Sequence, residues 1–153
     1  MSQDYTHSRT HQIDWASLHR DVALLAQNLE GHGPFQRIIA IARGGLVPAA
    51  LLSRLLNLHL VDTVCISSYD DKLQREGEPH LLKGIEAKDG GAGWLVVDDL
   101  ADSGNTLKLV RALLPKAHIA TVYAKPKGAP MVDTVAVTVD QSVWLVFPWD
   151  QDC

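Results

Sequence analysis

The sequence predicts an α/β domain in which helices flank a mostly parallel sheet. Three apolar runs, at 37–42, 94–97 and 118–124, have the length and composition of buried strands, and each is followed by a break in the pattern. Helical stretches separate these runs, so that strands and helices alternate along the chain. Such alternation is typical of parallel sheets with right-handed crossovers, whose ligands bind beyond the carboxyl ends of the strands.

The composition indicates a single domain over residues 1–153. A chain of this length buries about 70% of the surface that it exposes when unfolded, so it needs no disulfide. The net charge of −4 argues against nucleic acid as a partner, because broad binding requires a concentrated basic surface. Cys65 and Cys153 form neither a metal-binding nor a disulfide spacing, which favours a reducing compartment. No apolar run approaches the ~20 residues that span a bilayer, so we expect a cytoplasmic protein without stable membrane insertion.

The elements before residue 60 follow local signals. Asp14 can cap a helix whose apolar residues recur at helical spacing and which stops near Gly31. The first of the three buried strands then occupies 37–42. Pro48 suits the first turn of a helix over 46–56, because its missing N–H would have no partner there.

The second half of the chain begins with a β-rich segment at 60–68. Residues 69–93 are charged, contain five glycines and show no sustained periodicity, so we expect a mobile excursion with a flexible loop at about 70–91. A short hairpin in the middle of this segment stays open as an alternative. After the strand at 94–97, a turn around Ser103 and Gly104 leads into a helix over about 106–114.

The stretch 94–106, WLVVDDLADSGNT, is the most informative part of the sequence. Its small, hydroxyl-rich turn can bind phosphate, because Gly104 permits close backbone approach and the start of the helix offers N–H groups. Asp98 and Asp99 can bind ribose hydroxyls or, through water, a Mg²⁺ ion. The alternative is a solvated acidic turn in which Asp102 or Ser103 only caps the next helix.

The string from Val96 to Thr106 resembles the phosphoribosyl-diphosphate (PRPP) motif of type I phosphoribosyltransferases. That motif is two apolar residues, Asp-Asp, three variable positions, Ser/Thr-Gly, one variable position and Thr, and every restricted position matches. The resemblance extends over about 37–150, with supporting stretches at 42–48, 61–69, 123–126 and 144–150. It implies a parallel sheet with flanking helices, a flexible catalytic loop at about 70–91 and a small C-terminal hood at about 130–153.

The resemblance also implies an activity and a set of site residues. The expected reaction transfers 5-phosphoribosyl from PRPP to N9 of guanine or xanthine, with hypoxanthine a weaker acceptor, and uses Mg²⁺ with Asp99 as a metal ligand. Asp98, Asp99 and Asp102 are the expected catalytic residues, with Asp102 either accepting a purine proton at N7 or only orienting the base. PRPP is expected to contact Arg43, Gly44, Arg75, Asp98, Asp99, Leu100, Ala101, Asp102, Ser103, Gly104, Asn105 and Thr106. The purine is expected to contact Asp102, Lys125, Trp144, Leu145, Trp149 and Asp150.

Taken singly, several of these residues have simpler interpretations. Arg43 can be a solvated residue of a strand-ending turn, and Arg75 a surface charge in a mixed-charge loop. Lys125 alone would more often lie on the surface. Trp144 fits core or subunit-interface packing nearly as well as base stacking.

Other functions remain as alternatives. One is a phosphoribosyltransferase that prefers hypoxanthine and guanine, and another is a non-catalytic regulator of the same fold that senses nucleotides or binds RNA. A phosphoacceptor receiver domain is excluded, because only one helix and one strand fit between Asp99 and Lys125. The resemblance further implies a homotetramer and leaves room for peripheral association with the inner membrane.

Overall fold

The computed structural model describes residues 9–70 and 75–150. Within these ranges the strands are β1 Arg9–Gln12, β2 Arg37–Ala42, β3 Val61–Asp70, β4 Arg75–Lys83, β5 Trp94–Ala101, β6 His118–Ala124, β7 Thr134–Thr138 and β8 Val143–Val146. The α-helices are α1 Trp15–Asn28, α2 Leu46–Leu55 and α3 Asn105–Leu113. Two short 3-10 helices span Ala129–Met131 and Pro148–Asp150.

The main sheet has the strand order β4-β3-β2-β5-β6-β7. All neighbouring strands in it pair in parallel except β3 and β4, which pair antiparallel. This arrangement confirms the predicted α/β class with a mostly parallel sheet. The strands β2, β5 and β6 lie side by side in the centre, so that their carboxyl ends meet at one edge.

Alternating side chains of β5 form the core on both faces of the sheet. Leu95 and Val97 pack into the cluster that contains the buried residues of α1 and α2, and Val96 packs into the cluster that contains those of α3. All three β5 residues are fully buried. Because successive strand residues point to opposite faces, one apolar run supports two layers of helices.

The helices begin and end close to the predicted residues. The Asp14 side chain caps α1 by accepting a hydrogen bond from the Ser17 N–H at 2.7 Å, as the sequence predicts. A second contact ties α1 to the sheet, since the Tyr123 hydroxyl on β6 donates to Asp21 Oδ2 at 2.6 Å. Burial, followed by this hydrogen bond and the charge of Asp21, raises the pKa of Tyr123. Among the described residues, none of the helices has the length and apolar character required to cross a bilayer.

The segment predicted as a flexible loop at about 70–91 contains an ordered strand. β4 pairs with β3 over the register Cys65 with Lys83 to Asp70 with Arg75, and the register shifts twice along the pair. The strand pairs with β3, which lies almost entirely before this segment, so the antiparallel pair differs from a short hairpin within the middle of 69–93. Residues 71–74 lie outside the described part of the chain. β4 carries charges, a glycine and Pro79, which an edge strand tolerates because one side of its backbone makes no ladder bonds. Its hydrogen-bonding partner, more than its own sequence, determines its conformation.

A small second sheet joins the two ends of the chain. β1 pairs in parallel with β8, from Arg9 opposite Val143 to Gln12 opposite Val146. β7 falls within the range 130–153 predicted for the hood, yet it forms the edge of the main sheet beside β6. The small sheet thus combines residues from near both termini, a pairing across more than 130 residues that no local pattern could predict.

The turn between β2 and α2 packs so closely on β5 that a side chain cannot be accommodated. A Cβ atom at Gly45 would overlap the Val97 carbonyl oxygen and would lie 2.9 Å from that of Ile41. Because Gly45 has no side chain, α2 and the end of β2 can pack directly against the central strand.

We expect Gly45→Ala to lower the free energy of unfolding by about 1–3 kcal/mol, because the backbone must shift to admit the methyl group. Urea unfolding measures the difference. Gly84→Ala is the matched control, since its Cβ would meet only Leu81 Cδ2 at 3.4 Å. Equal unfolding midpoints for the two variants would contradict the close approach at Gly45.

Candidate functional site

Most of the residues predicted to bind PRPP, together with Lys125, lie at the carboxyl edge of β2, β5 and β6. Arg43 and Gly44 follow β2, the string 98–106 ends β5 and begins α3, and Lys125 directly follows β6. β5 runs further than predicted, because Asp98 to Ala101 continue the ladder with Thr121 to Ala124 of β6. Asp98, Asp99, Leu100 and Ala101 are therefore strand residues, and the loop begins at Asp102.

The two adjacent carboxylates of β5 are both held by backbone hydrogen bonds. Asp98 Oδ1 accepts from the Asp99 N–H at 2.8 Å, and Asp99 Oδ1 accepts from the Leu100 N–H at 2.7 Å. Burial raises the pKa of Asp98 well above its usual value, and the charge of Asp99 raises it further. Burial also raises the pKa of Asp99, to which the charge of Asp150 contributes. Within the described ranges, neither carboxylate forms an ion pair.

Gly44 lies directly against the Asp99 carboxylate. A Cβ atom at this position would lie 2.6 Å from Asp99 Oδ2 and 2.7 Å from Oδ1, so any side chain would displace the carboxylate. The peptide bond between Ala42 and Arg43 is cis, and the Arg43 side chain is exposed. The turn after β2 thus places the Gly44 backbone against Asp99, next to an exposed arginine in the sequence.

The loop at 102–104 leads into the amino end of α3. Gly104 has φ +87°, a left-handed conformation that L side chains rarely adopt, and no side chain caps the helix from this position. The first turn of α3 contains no acidic residue. One of its N–H groups, that of Asn105, donates to Ser103 Oγ at 3.3 Å. Asn105 is exposed and Thr106 is half-buried at this helix end. A helix amino end of this kind attracts anions through its N–H groups and dipole.

Lys125 is buried, with 1% of its surface exposed, and not on the surface as its type alone would suggest. Its Nζ lies 3.4 Å from Asp102 Oδ2. The backbone is fixed as well, because the Lys125 N–H donates to the Ala101 carbonyl at 2.9 Å. The buried ammonium of Lys125 is thus paired with the half-exposed carboxylate of Asp102 in the adjoining loop.

Gln141 joins this pair, and sequence reasoning missed it. Its Nε2 donates to Asp102 Oδ1 at 2.9 Å, and its Oε1 accepts from the Lys127 N–H at 2.9 Å. Gln141 lies in the turn between β7 and β8, far from Asp102 in sequence. The only sequence signal was its place three residues before Trp144, within the region assigned to the purine.

The residues predicted to contact the base lie in β8 and the following 3-10 helix. Trp144 is 47% exposed, which excludes core packing, whereas Leu145 is 6% exposed. The Trp149 ring stacks on Phe147, with centroids 4.9 Å apart and an angle of 3°. Asp150 Oδ2 accepts from the Phe147 N–H at 3.0 Å, so this carboxylate orders the turn that carries Trp149.

Two further predictions concern Arg75 and a bound metal ion. Arg75 lies in β4 opposite Asp70, and its side chain lies outside the described part of the structure. Within the described residues, no group of three or more His, Cys, Asp or Glu side chains could hold a metal ion. Two carboxylates without a cationic partner do fit Mg²⁺, which keeps several waters and takes its other ligands from substrate phosphates.

Comparisons with known proteins identify the family of the chain. The profile of the phosphoribosyl transferase domain family matches residues 14–153. A xanthine-guanine phosphoribosyltransferase of Desulfotalea psychrophila is 52% identical over 99% of this chain and 92% of its own length. Another protein of that name, from Chromohalobacter salexigens, is 53% identical over 93% of this chain and 86% of its own length.

Solved structures show the same fold. A purine phosphoribosyltransferase of Pyrococcus horikoshii superposes with a TM-score of 0.76, covers 94% of this chain and 95% of its own, and is 26% identical. The resemblance inferred from the 96–106 string is thereby confirmed. The chain belongs to the phosphoribosyltransferase family.

Proposed function

We propose that the protein transfers the 5-phosphoribosyl group of PRPP to N9 of guanine or xanthine, with hypoxanthine a weaker acceptor. The products are GMP, XMP or IMP together with pyrophosphate, which makes the reaction one of purine salvage. The observation that carries this proposal is the contact between the buried Lys125 and Asp102, the first residue of the loop at 102–106, here named the phosphate loop. It joins a sugar-phosphate site to a donor suited to a purine carbonyl. The names of the two relatives at 52% and 53% identity support the choice of acceptor.

PRPP would bind along the carboxyl edge in three parts. Its 5′-phosphate would lie in the loop from Asp102 to Thr106, where the amino end of α3 attracts it. Asp98 and Asp99 would accept hydrogen bonds from the ribose hydroxyls. Arg43, the Gly44 backbone and Arg75 would face the pyrophosphate, since guanidinium groups bind phosphate oxygens through forked donors.

A Mg²⁺ ion would be held by Asp99, with Asp98 beside it in the acidic pair. Burial without a cationic partner disfavours the ionised form of these carboxylates and raises their pKa values, whereas a bound cation would stabilise that form. When bound, Mg²⁺ supplies positive charge to the phosphate oxygens of the leaving pyrophosphate. The backbone bonds from Asp99 and Leu100 keep the two carboxylates oriented for this role.

The purine would be read by Lys125 and by the segment 144–150. Lys125 can only donate, so it favours a purine with an acceptor at position 6 and disfavours the amino group of adenine. The exposed face of Trp144 can stack on the base, a contact worth ~1–3 kcal/mol per base. The Leu145 carbonyl, Trp149 and Asp150 would close the pocket around the exocyclic group at position 2. Together with β1, this segment would form the hood over the base.

The chemistry requires no covalent intermediate on the protein. The bond between C1′ and the pyrophosphate oxygen breaks as the bond from N9 forms, and C1′ passes through an oxocarbenium-like state with inversion. Arg43 and Arg75 would stabilise the negative charge that collects on the leaving pyrophosphate. Asp102 would accept the proton that the imidazole ring loses at N7, or hold the ring by the same hydrogen bond.

We further propose that the protein acts in the cytoplasm as a homotetramer. Large apolar side chains are exposed at the end of α2 and the start of β3, namely Leu55, Leu60 and Val61. Surface of this kind is often covered in an assembly. Peripheral association with the inner membrane rests on the family resemblance alone.

The activity is tested by measuring nucleotide formation with PRPP, Mg²⁺ and guanine, xanthine, hypoxanthine, adenine or uracil. We expect GMP and XMP as the fastest products, slower IMP, no product from adenine or uracil, and loss of all turnover when EDTA removes the metal. A faster rate with hypoxanthine than with xanthine would indicate a hypoxanthine-guanine enzyme. Absence of product from every 6-oxo purine would refute catalysis and favour the regulator.

Replacement of Lys125 tests the reading of the base. Lys125→Met keeps the packing of the stem and removes the charged donor, so we expect kcat/KM for guanine to fall roughly 10- to 100-fold. The KM for PRPP should stay within about twofold, because the lysine does not face PRPP in the proposed complex. Lys108→Met, on the exposed face of α3, is the control and should leave both values unchanged. An unaltered kcat/KM in Lys125→Met would remove this residue from base recognition.

A further inference from the structure

The side chain of Gln141 is held at both ends, and this fixes which way its amide points. The partner of Oε1 is the backbone N–H of Lys127, which can only donate. The partner of Nε2 is a carboxylate oxygen of Asp102, which accepts when ionised. If the amide were reversed, its NH₂ group would face the Lys127 N–H and its oxygen would face the Asp102 carboxylate. The observed orientation is therefore the only one that satisfies both contacts.

Gln141 thereby connects three segments of the site. Its own turn leads into β8 and Trp144, while Lys127 belongs to the turn that follows β6 and Lys125. That second turn packs tightly against the end of β5, directly before the loop, because a Cβ atom at Gly128 would lie 2.5 Å from the Ala101 carbonyl. The amide therefore links the base-stacking segment to the phosphate loop through a rigid support.

The two oxygens of Asp102 consequently have different partners. Oδ1 accepts from Gln141 at 2.9 Å, and Oδ2 lies 3.4 Å from the Lys125 ammonium. In this orientation the Asp102 carboxylate, an acceptor, and the Lys125 ammonium, a donor, lie side by side. The N7–H and O6 groups of a 6-oxo purine form the complementary edge, a donor beside an acceptor.

We propose that Gln141 is a positioning residue that aims the Asp102 carboxylate at the N7 edge of the purine. It acts through Asp102 and touches neither PRPP nor the reacting atoms. The inference rests on the proposed function and deepens it, because it names what orients the acceptor of the purine proton. Its loss should lower kcat with guanine and leave the KM for PRPP unchanged.

Two variants of nearly equal size separate this role from simple bracing of the turn. Gln141→Glu keeps the acceptor for the Lys127 N–H but loses the donor to Asp102 and sets a second carboxylate against it. Gln141→Met loses both contacts. Gln27→Met, on the exposed face of α1, controls for the substitution itself.

The measurements are kcat with guanine, the KM values for guanine and PRPP, and thermal unfolding of each variant. We expect kcat to fall about tenfold in Gln141→Met and further in Gln141→Glu, with the KM for PRPP within twofold of the parent in both. A parental kcat in Gln141→Glu together with a loss in Gln141→Met would show a brace only and overturn the proposal. A parental kcat in Gln141→Met would overturn it as well. If Gln141→Met does not fold, Gln141→Glu decides, because it retains the contact with Lys127.

The parent protein separates this inference from the function on which it rests. Absence of turnover with guanine in the parent would refute the proposed reaction before any variant is compared. Normal turnover in the parent and in Gln141→Glu would leave the reaction standing and remove the role of Gln141.

Discussion

The buried ammonium of Lys125 is the interaction on which the carboxyl edge of the sheet depends. A charge removed from water costs several kcal/mol unless nearby groups compensate for it, and here the charged partner in the described structure is Asp102 at 3.4 Å. This requirement fixes the position of the end of β6 relative to the end of β5. β6 must end where its last backbone bond, from Lys125 to Ala101, brings the lysine beside the loop that follows β5. Gln141 then holds the free side of the same carboxylate.

Close packing of backbone supplies the rest of the site. Gly44 against Asp99, and Gly128 against Ala101, let three chain segments approach within distances that any side chain would prevent. Asp98 is buried and Asp99 half-buried in this arrangement, and removal from water raises the pKa values of both. A chain with a net charge of −4 can therefore still bring an arginine, a buried lysine and a helix amino end to one edge of its sheet, because local placement and not the total charge determines the local field.

The parts of the fold that the sequence predicts are those with strong local patterns. The buried strands β2, β5 and β6, the Asp14 cap and the phosphate loop all follow from short, continuous stretches. The hairpin strand β4 and the pairing of β1 with β8 were not predicted, because both depend on a partner strand and carry weak patterns of their own. Burial of Lys125 and the contact of Gln141 with Asp102 also depend on residues distant in sequence, so no local pattern predicts them. Most of the residues named by the motif thus lie together at the carboxyl edge of the sheet, while the contact of Gln141 with Asp102 is visible only in the structure.

In the proposed complex, Asp102 and Lys125 act as one unit on one edge of the purine. A double-mutant cycle on kcat/KM for guanine, with Asp102→Asn, Lys125→Met and the combined variant, measures this coupling. Residues in contact that serve the same group give strongly non-additive effects, so we expect the combined variant to be little worse than the more damaged single variant. Losses that multiply in full would show that the two side chains act independently and would refute their coupling.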